Sequence, residues 1–446
     1  MGKAAKFSTP LLCHSKLLCF SVLYLFSSLF LAVYFSFSTT KCIFRSSPYD
    51  PIQELLFSYP SSYGEHKYAL PTTRSSCNSP VYFSDYWVAL EEIRKLCSNF
   101  TPSALKYLQR TDESFGGNLS FYNRSSYFDH HDNETQIPCG FFKRFPISNS
   151  DQISMEKCHG LVVVSTIFND HDKIRQPRGL GSKTLDYVCF FMFVDDATLN
   201  RLHFHNIISK KSKEFKIGAW KIVKVSSESL YENAAMNGII PKYLIHRLFP
   251  NAKYSIWIDA KLQLVVDPVL LIHSLVVREN VDMAISRHPY FVHTMEEAMA
   301  TARWKKWWDV NGLKIQMEAY CENGLEPWNS EKPYPTDVPD SALILRKHNV
   351  ATNLFSCLLF NELEVFNPRD QLPFAYVRDK MNPKLNLNMF EVEVFEQVAV
   401  EYRHNLKKGG ASVGPKLKKA SSDLFGNGTL GKCKEYLLKM WGESHD

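Results

Sequence analysis

The stretch YSIWIDAKLQLVVDP, residues 254–268, is rich in aromatic and β-branched side chains, and of its two aspartates Asp259 lies near the middle. Such a run is typical of a buried strand. An unpaired carboxylate is costly in that setting, so it usually has a partner, a metal or a chemical task. The rest of the sequence has to show which of these three applies to Asp259.

Four further short apolar runs predict strands, over residues 161–168, 187–194, 281–289 and 341–348. Helical patterns separate them, over residues 241–249, after Pro268 and over residues 294–310. Strands that alternate with helices predict an α/β fold with a mostly parallel sheet and helices on both faces. Ligands bind such sheets at the carboxyl ends of the strands. We expect Asp170, Asp195, Asp196 and Asp259 to lie there.

The N-terminus predicts a membrane anchor. Residues 1–16 contain three lysines and no acid, and residues 17–37 are uncharged. A helix of that length is roughly 31 Å long, enough to cross the hydrocarbon core of a bilayer. The lysines favour a cytosolic tail and therefore a single-pass type II protein with a luminal domain. Cleavage as a signal peptide near Ser36-Phe37-Ser38 stays open.

Acceptor sites for N-glycosylation agree with a luminal chain. The sequons start at Asn99, Asn118, Asn123, Asn133 and Asn427. Four of them fall within residues 38–137, which predict a glycosylated stem ahead of a catalytic domain over 138–405. Residues 406–446 predict a basic linker and a C-terminal helix. Nine cysteines follow the anchor, so in an oxidising lumen some should pair and at least one is left over.

The expected sheet edge carries residues suited to phosphate chemistry. In nucleotide-sugar glycosyltransferases of the GT-A type, a motif that is usually Asp-x-Asp ends a central strand and holds Mn²⁺ or Mg²⁺ against the diphosphate. Here the triplet is Asp259-Ala260-Lys261, so a cation replaces the second carboxylate. Asp259 is a candidate metal or diphosphate ligand, and Lys261 a candidate phosphate contact. The structural alternative is that Asp259 caps a turn or pairs with Lys261.

Other candidates each have a functional and a structural interpretation. Asp370 is either a catalytic base facing the acceptor or the N-cap of the following helix. Asp195 and Asp196 either contact the nucleotide or begin a helix. Arg287 is a candidate phosphate clamp and His288 a candidate metal ligand, although a lone histidine is more often structural.

Three tryptophans lie close together in ARWKKWWDV, residues 302–310. If this segment is a helix, Trp304, Trp307 and Trp308 share one face at i, i+3 and i+4. Trp304 and Trp307 are candidates for stacking on an acceptor sugar, and aromatic residues also occur at membrane interfaces. A core stripe is the structural alternative.

Composition and motifs exclude several classes of function. The net charge of +6 comes without a concentrated basic face, so we expect no nucleic-acid partner. The sequence contains no HExxH, P-loop or GxGxxG motif, and its GxSxG match, residues 410–414, falls in the predicted basic linker rather than at a nucleophile elbow.

Several segments resemble a plant family of Golgi membrane proteins, the turgor-regulation-defect and mucilage-related family. They include PCGFF from Pro138, VVVSTIFND from Val162, AISRHPY from Ala284, DVPDSALILRKHN from Asp337 and RDQLPFAYVRDK from Arg369. The resemblance covers roughly residues 138–405 and implies a Golgi location and a GT-A-like domain. The N-terminal segment FRSSPYDPIQ, residues 44–53, is more similar to the turgor-regulation-defect branch than to the mucilage-related branch.

The two branches of this family imply different chemistry. One implies a hexosyltransferase that moves a sugar from a nucleotide sugar to a glycan. The other implies an alkaline ceramidase that hydrolyses ceramide. The missing second aspartate leaves a non-catalytic binding protein as a third hypothesis. The alternating strands and acidic strand ends favour the transferase.

Overall fold

The computed structural model of the protein describes residues 16–36, 42–45, 50–67, 69–70, 77–98, 101, 105–112, 114–130, 134–209, 215–226, 231–404, 433 and 437. The strands in this part of the chain are β1 (Ile43–Arg45), β2 (Val81–Phe83), β3 (Gly160–Ile167), β4 (Val188–Val194), β5 (Lys216–Ile217), β6 (Trp220–Lys224), β7 (Ala252–Ile258), β8 (Leu262–Leu264), β9 (Met283–Arg287), β10 (Pro339–Lys347), β11 (Leu387–Phe390) and β12 (Ala399–Glu401).

Helices occupy most of the intervening chain. They are α1 (Lys16–Ser36), α2 (Tyr86–Ser98), α3 (Phe121–Ser126), α4 (Asn149–Glu156), α5 (Thr184–Tyr187), α6 (Asp196–Phe204), α7 (Ala234–Tyr243), α8 (Ile245–Leu248), α9 (Pro268–Ile272), α10 (Thr294–Arg303), α11 (Val310–Glu322), α12 (Val350–Val365), α13 (Gln371–Lys380) and α14 (Val392–Val398). A π-helical turn, His273–Val277, continues α9.

Eight strands form one sheet in the order β11-β9-β10-β7-β3-β4-β6-β5. The central strands β7, β3, β4 and β6 are parallel to one another. β10 runs antiparallel between β7 and β9, and β5 runs antiparallel at the edge. The predicted α/β fold with a mostly parallel sheet is confirmed.

Both faces of the sheet are covered by helices, which explains the continuous apolar runs in the sequence. In β3, Val162 and Val164 pack into a core with α7, α8 and α10 to α13. Leu161 and Val163 point the other way, into a core with α2, α6, α9 and α14. Because successive side chains of a strand face opposite sides, both sets have to be apolar.

The stretch that contains Asp259 is two strands with a turn between them. β7 ends at Ile258, and Asp259 is the first residue beyond it. The Asp259 backbone N–H donates to the Ala342 carbonyl of β10 at 2.8 Å, so the pairing with β10 continues through this position. The carboxylate therefore lies at the carboxyl edge of the sheet, where parallel strands present ligand-binding groups.

The domain begins earlier than residue 138. Cys42, Phe83 and Tyr86 are buried in the core that contains α2 and α9, and β1 pairs with β2. Leu105 and Ile137 are buried in the opposite core. The described residues of the predicted stem therefore pack as part of the folded domain.

Four disulfides cross-link the described chain, and they join Cys42 to Cys77, Cys139 to Cys357, Cys158 to Cys189 and Cys321 to Cys433. Cys97 is the cysteine left over from the nine. The predicted pairing with an odd residue is thus confirmed. Asn118 and Asn123 are exposed, as glycosylation would require, while Asn99, Asn133 and Asn427 lie outside the described residues.

The predicted anchor forms α1, whose apolar side chains are exposed. It is long and apolar enough to cross a membrane. This is consistent with the predicted single-pass anchor.

The predicted helix over residues 294–310 is too long, because α10 ends at Arg303. The Lys306 N–H donates to the Thr301 carbonyl at 3.0 Å, and the Lys305 N–H to the Ala302 carbonyl at 3.2 Å. Lys305 adopts a φ of +49°. These two bonds and the left-handed residue define a Schellman motif, a common helix terminus that usually carries glycine at the position of Lys305.

Candidate functional site

A cleft of about 930 Å³ opens at the carboxyl ends of β3, β4 and β7. Its surface is mainly polar, and the first residues of α7, Asn233 to Ala235, line one side. Of the residues singled out from the sequence, Asp195, Asp259, Lys261 and Asp370 line this cleft. The topology therefore gathers candidates that are up to 175 residues apart in the chain, from Asp195 to Asp370.

Asp259 is partly accessible from the cleft, with 31% of its side chain exposed. Its Oδ1 accepts a hydrogen bond from Trp257 Nε1 at 2.7 Å and lies 3.7 Å from Lys242 Nζ. These contacts fix the orientation of the carboxylate and leave it open on the cleft side.

Lys261 lies among three carboxylates. Its Nζ contacts Glu401 Oε1 at 2.9 Å. Burial alone would lower the pKa of this ammonium, but the charges of Asp340, Asp259 and Glu401 raise its pKa overall. The cation is therefore already balanced by protein groups, which weakens the predicted role of Lys261 as a free phosphate contact.

Asp340 belongs to this cluster and was not among the sequence candidates. It lies near the start of β10, which runs antiparallel to β7, so its position is close to Lys261. Burial raises the pKa of Asp340, and Lys261 and the Ala342 N–H lower it in part. A second carboxylate therefore lies near Lys261 from the neighbouring strand.

Asp370 stands at the N-cap position of α13, but its side chain makes no capping bond, so the capping alternative is wrong. Its Oδ2 accepts from Tyr243 at 2.8 Å and contacts Lys242 Nζ at 2.6 Å, and its Oδ1 accepts from Ser341 at 2.8 Å. Burial alone would raise the pKa of Asp370, but Lys242, Tyr243 and Ser341 lower its pKa overall. A carboxylate stabilised in this way is a weak base, so the predicted base role loses support.

Asp195 and Asp196 follow the structural interpretation. Both oxygens of Asp195 accept backbone N–H groups, from Asn169 at 2.8 Å and from Thr198 at 2.9 Å, so it caps α6 while it lines the cleft. Asp196 pairs with Lys224 at 2.7 Å and is absent from the cleft lining. A nucleotide contact remains a prediction for Asp195 alone.

Arg287 and His288 also lie outside the cleft lining. Arg287 pairs with Glu391 at 2.5 Å. The Nδ1 atom of His288 accepts the N–H groups of Tyr290 and Phe291, and burial lowers the pKa of this imidazole to about 4. Their contacts explain them as structural residues, and the metal role of His288 gains no support.

The tryptophans neither form a core stripe nor line the cleft. Trp304 is 49% exposed and Trp308 is 78% exposed. The core alternative is wrong because the helix that would have buried them ends at Arg303. Stacking of Trp304 and Trp307 on an acceptor in this cleft gains no support either.

His404 is a second residue that the sequence did not single out. It lines the cleft, and its Nδ1 lies 3.0 Å from Asp172 Oδ2. The hydrogen bond with Asp172 raises the pKa of His404, while burial lowers it in part. A histidine oriented by a carboxylate in this way can accept a proton at its other ring nitrogen. No motif in the sequence connects Asp172 with His404, because 232 residues separate them.

The carboxylates of the cleft fit a hard divalent cation in part. Mg²⁺ is usually held by one or two carboxylates together with substrate phosphates, and Asp259 and Asp340 offer such a pair. Among the described residues, one group of three His, Cys, Asp or Glu brings ligand atoms within 4.8 Å, namely Cys139, His246 and Cys357. Its two cysteines form a disulfide, so this group is a cross-link rather than a metal site.

Comparison with known proteins identifies the family of the chain. The profile of the TOD1/MUCI70, glycosyltransferase-like domain matches residues 101–404. The chain belongs to this family. The match begins before residue 138, in agreement with the packing of the preceding segment.

Two relatives from Arabidopsis thaliana carry different activities in their names. The protein named alkaline ceramidase TOD1 is 62% identical over 463 aligned positions, which cover 99% of this chain and all of that protein. The protein named probable hexosyltransferase MUCI70 is 37% identical over 281 positions, which cover 61% of this chain and 47% of that protein.

Two solved structures align with this chain at low similarity. Mouse xyloside xylosyltransferase 1 in its apo form aligns over 52% of this chain and 84% of its own, with a TM-score of 0.28 and 8% identity. The bifunctional glycosyltransferase WbbM aligns over 52% of this chain and 38% of its own, with a TM-score of 0.26 and 10% identity. Scores this low support no argument about mechanism.

Proposed function

We propose that this protein is a membrane-anchored hexosyltransferase of the Golgi lumen that moves a sugar from a nucleotide-sugar donor to a glycan acceptor. The observation that carries the proposal is the cluster of Asp259, Asp340 and Glu401 around Lys261 at the carboxyl edge of the sheet. The polar lining of the cleft and the glycosyltransferase-like family also support it.

The donor diphosphate would lie between the strand-end carboxylates and the first turn of α7. The N-terminal end of a helix carries partial positive charge and free N–H groups, both of which favour phosphate. Asn233 uses its side chain to cap Ala235 at 2.8 Å, which keeps this end ordered. Lys242 supplies a cation near Asp259 from the same helix.

Asp259 and Asp340 would hold Mn²⁺ or Mg²⁺ together with the diphosphate. A divalent cation in that position stabilises the negative charge that gathers on the leaving nucleoside diphosphate. The two carboxylates orient the donor, and Lys261 keeps them from repelling each other before the donor binds. The site has more carboxylates than ammonium groups, so its net negative charge favours the binding of one additional cation together with the donor.

The transfer itself needs a proton acceptor. The acceptor hydroxyl oxygen bonds to the anomeric carbon as the bond from that carbon to the diphosphate oxygen breaks, and the hydroxyl proton has to leave. We assign the proton to His404, which Asp172 orients, in place of Asp370. Asp370 instead positions Lys242.

Hydrolysis of ceramide is the second candidate, because the relative with 62% identity is named an alkaline ceramidase. In that reaction water bonds to the amide carbonyl carbon, the carbon–nitrogen bond breaks, and the amine takes a proton. The His404–Asp172 pair can activate such a water. The mainly polar lining of the cleft suits two apolar chains poorly, and this favours the transferase.

Nucleotide binding tests the transferase proposal. We would titrate the full chain in detergent with UDP and with GDP, with and without Mn²⁺, by calorimetry. We expect saturable binding that the substitutions Asp259→Asn and Asp340→Asn weaken. Asp186→Asn is the matched control, since Asp186 lies on α5 before β4, at the opposite edge of the sheet, and is exposed.

The same variants separate the two activities. If the folded protein binds neither nucleotide and releases fatty acid from ceramide in mixed micelles, the transferase proposal is wrong. Loss of that hydrolysis in His404→Gln, with retention in Asp259→Asn, would then place the chemistry on the histidine pair. Nucleotide binding without ceramide hydrolysis would exclude the second candidate.

A further inference from the structure

The exposed tryptophans form a surface that the cleft does not use. We define the aromatic loop as residues 304–308, and Tyr290 lies beside it in the chain segment that precedes α10. Tyr290 is 67% exposed, and Trp304 and Trp308 are exposed as given above. Exposed tryptophans next to one another are unusual on a soluble surface and mark an interaction site.

The aromatic loop is held in one position by the protein beneath it. The Schellman motif fixes its backbone at Lys305 and Lys306. Lys306 Nζ lies 5.2 Å from the centre of the Trp304 ring and 3.1 Å from Glu297 Oε1. The Phe291 ring centre lies 6.2 Å from that of Trp304. The loop is therefore a preformed surface.

Its composition suits a membrane surface. Arg303, Lys305 and Lys306 alternate with the tryptophans. Tryptophan and tyrosine are enriched at the level of lipid headgroups, where their rings meet both apolar and polar material. Lysine and arginine beside them can lie along apolar material with their stems while their charged ends stay in the polar headgroup layer. Sugar stacking fits less well, because none of these tryptophans lines the cleft.

The chain keeps the domain close to the bilayer that would hold α1. The helix ends at Ser36, and Cys42 is already fully buried in the domain. The five residues between them span about 20 Å when fully extended. The predicted stem of one hundred residues would have allowed a distant domain, and the observed packing does not.

The segment that follows α1 and the strand end that precedes Tyr290 both contact the ends of α14. The Cys42 N–H donates to Gln397 Oε1 of α14 at 3.1 Å. At the other end of this short helix, Glu391 pairs with Arg287, at the end of β9. Three residues further along the chain is Tyr290. The entry point of the tether and the strand end before Tyr290 therefore lie at the two ends of one seven-residue helix, which is about 10 Å long.

We propose that the aromatic loop and Tyr290 rest on the headgroup region of the bilayer that α1 spans. The docked domain is then oriented as well as tethered. Glu297 contacts both Lys306 of the loop and Arg369 of the cleft lining, the latter at 2.5 Å. Docking therefore turns this side of the cleft towards the membrane surface.

Brominated lipids test the contact, because bromine on an acyl chain quenches tryptophan emission only at short range. The chain has eight tryptophans and none lies in α1, so the quenched signal comes from outside the anchor helix. We would place the full chain in nanodiscs of phosphatidylcholine and phosphatidylserine, with or without bromine. We expect quenching that is at least halved when Trp304, Trp307 and Trp308 are all replaced by Phe.

Phenylalanine keeps the apolar contact, so this variant should stay docked and folded while losing the signal. Trp87→Phe is the matched control, since Trp87 is 46% exposed on α2 and its removal should leave the quenching in place. Absence of quenching in the unmodified chain, or quenching that depends on Trp87 instead, would overturn the proposal. A change in emission on adding soluble oligosaccharide, without quenching by lipid, would overturn it in favour of glycan stacking.

Discussion

Two lysines line the cleft, and the carboxylates around them are arranged differently. Lys242 contacts Asp370 at 2.6 Å, and Tyr243 and Ser341 donate to the remaining positions of that carboxylate. Lys261 contacts Glu401 at 2.9 Å and has Asp259 and Asp340 nearby as well. In the first group both oxygens of the buried carboxylate are bonded by protein groups. The second has three carboxylates for one ammonium and is open to the cleft.

The difference identifies which group is suited to a ligand. A buried pair with all its hydrogen bonds made has little to gain from a further partner. A group with an excess of carboxylates gains when a cation arrives, and a partly exposed carboxylate such as Asp259 can reach it. We therefore expect the Lys242 group to govern stability and the Lys261 group to govern binding.

The largest effect should come from Lys242→Met. It leaves the buried Asp370 carboxylate without its ion partner, and breaking a buried pair from one side costs about 3 kcal/mol of unfolding free energy or more. Urea denaturation measures the loss. The double variant with Asp370→Asn should recover part of it, because the carboxylate that lost its ammonium partner is then replaced by a neutral amide. A loss below about 1 kcal/mol would contradict the assignment, since that is the range of exposed pairs.

Asp340→Asn should act on binding rather than on stability. Burial raises the pKa of Asp340, so the ionised carboxylate destabilises the folded state at neutral pH. The neutral amide should therefore not lower the stability of the protein. Under the proposed function, affinity for the nucleotide diphosphate with Mn²⁺ should fall at least tenfold, about 1.4 kcal/mol. Calorimetry and a melting curve on the same sample give both quantities. A lower melting temperature with unchanged affinity would assign Asp340 to the structural group.

His404→Gln should change the pH dependence. The pKa of His404 is raised in the folded protein, so its stabilising contribution is complete below the unfolded pKa of about 6.5 and is lost as pH rises through the folded value. Activity should follow the opposite sign, because a proton acceptor must be neutral. Melting temperatures and rates across neutral pH check both trends. If the glutamine variant keeps the pH profile of activity, another group accepts the proton.

The smallest effect should come from Glu401→Gln. Its pair with Lys261 is partly exposed, with 38% and 24% of the side chains accessible, so we expect a change in unfolding free energy of about 0.5 kcal/mol or less. A loss comparable to that of Lys242→Met would remove the distinction between the two groups.

The sequence predicted the strands that are buried on both faces, because apolar runs such as residues 161–168 leave few alternatives. It did not predict β6 or β11, where lysine and asparagine interrupt the pattern. A motif search did not find Asp340, because such a search compares residues that are close in sequence. Asp340 lies near Lys261 only through the antiparallel pairing of β10 with β7. The sequence did not predict the end of α10, because Lys305 occupies a position where a glycine usually signals the end of a helix.

The disulfide between Cys321 and Cys433 closes a covalent ring with a sequence separation of 112 residues. Asp340, Asp370, Glu401 and His404 all lie inside this ring, while Asp259, Lys242 and Lys261 lie outside it. A cross-link over a loop of that size stabilises a folded chain by about 4–5 kcal/mol through the entropy of the unfolded state. Reducing agents in a purification buffer would therefore lower the free energy of unfolding of the domain, and an inactive preparation should be reoxidised before its inactivity is interpreted.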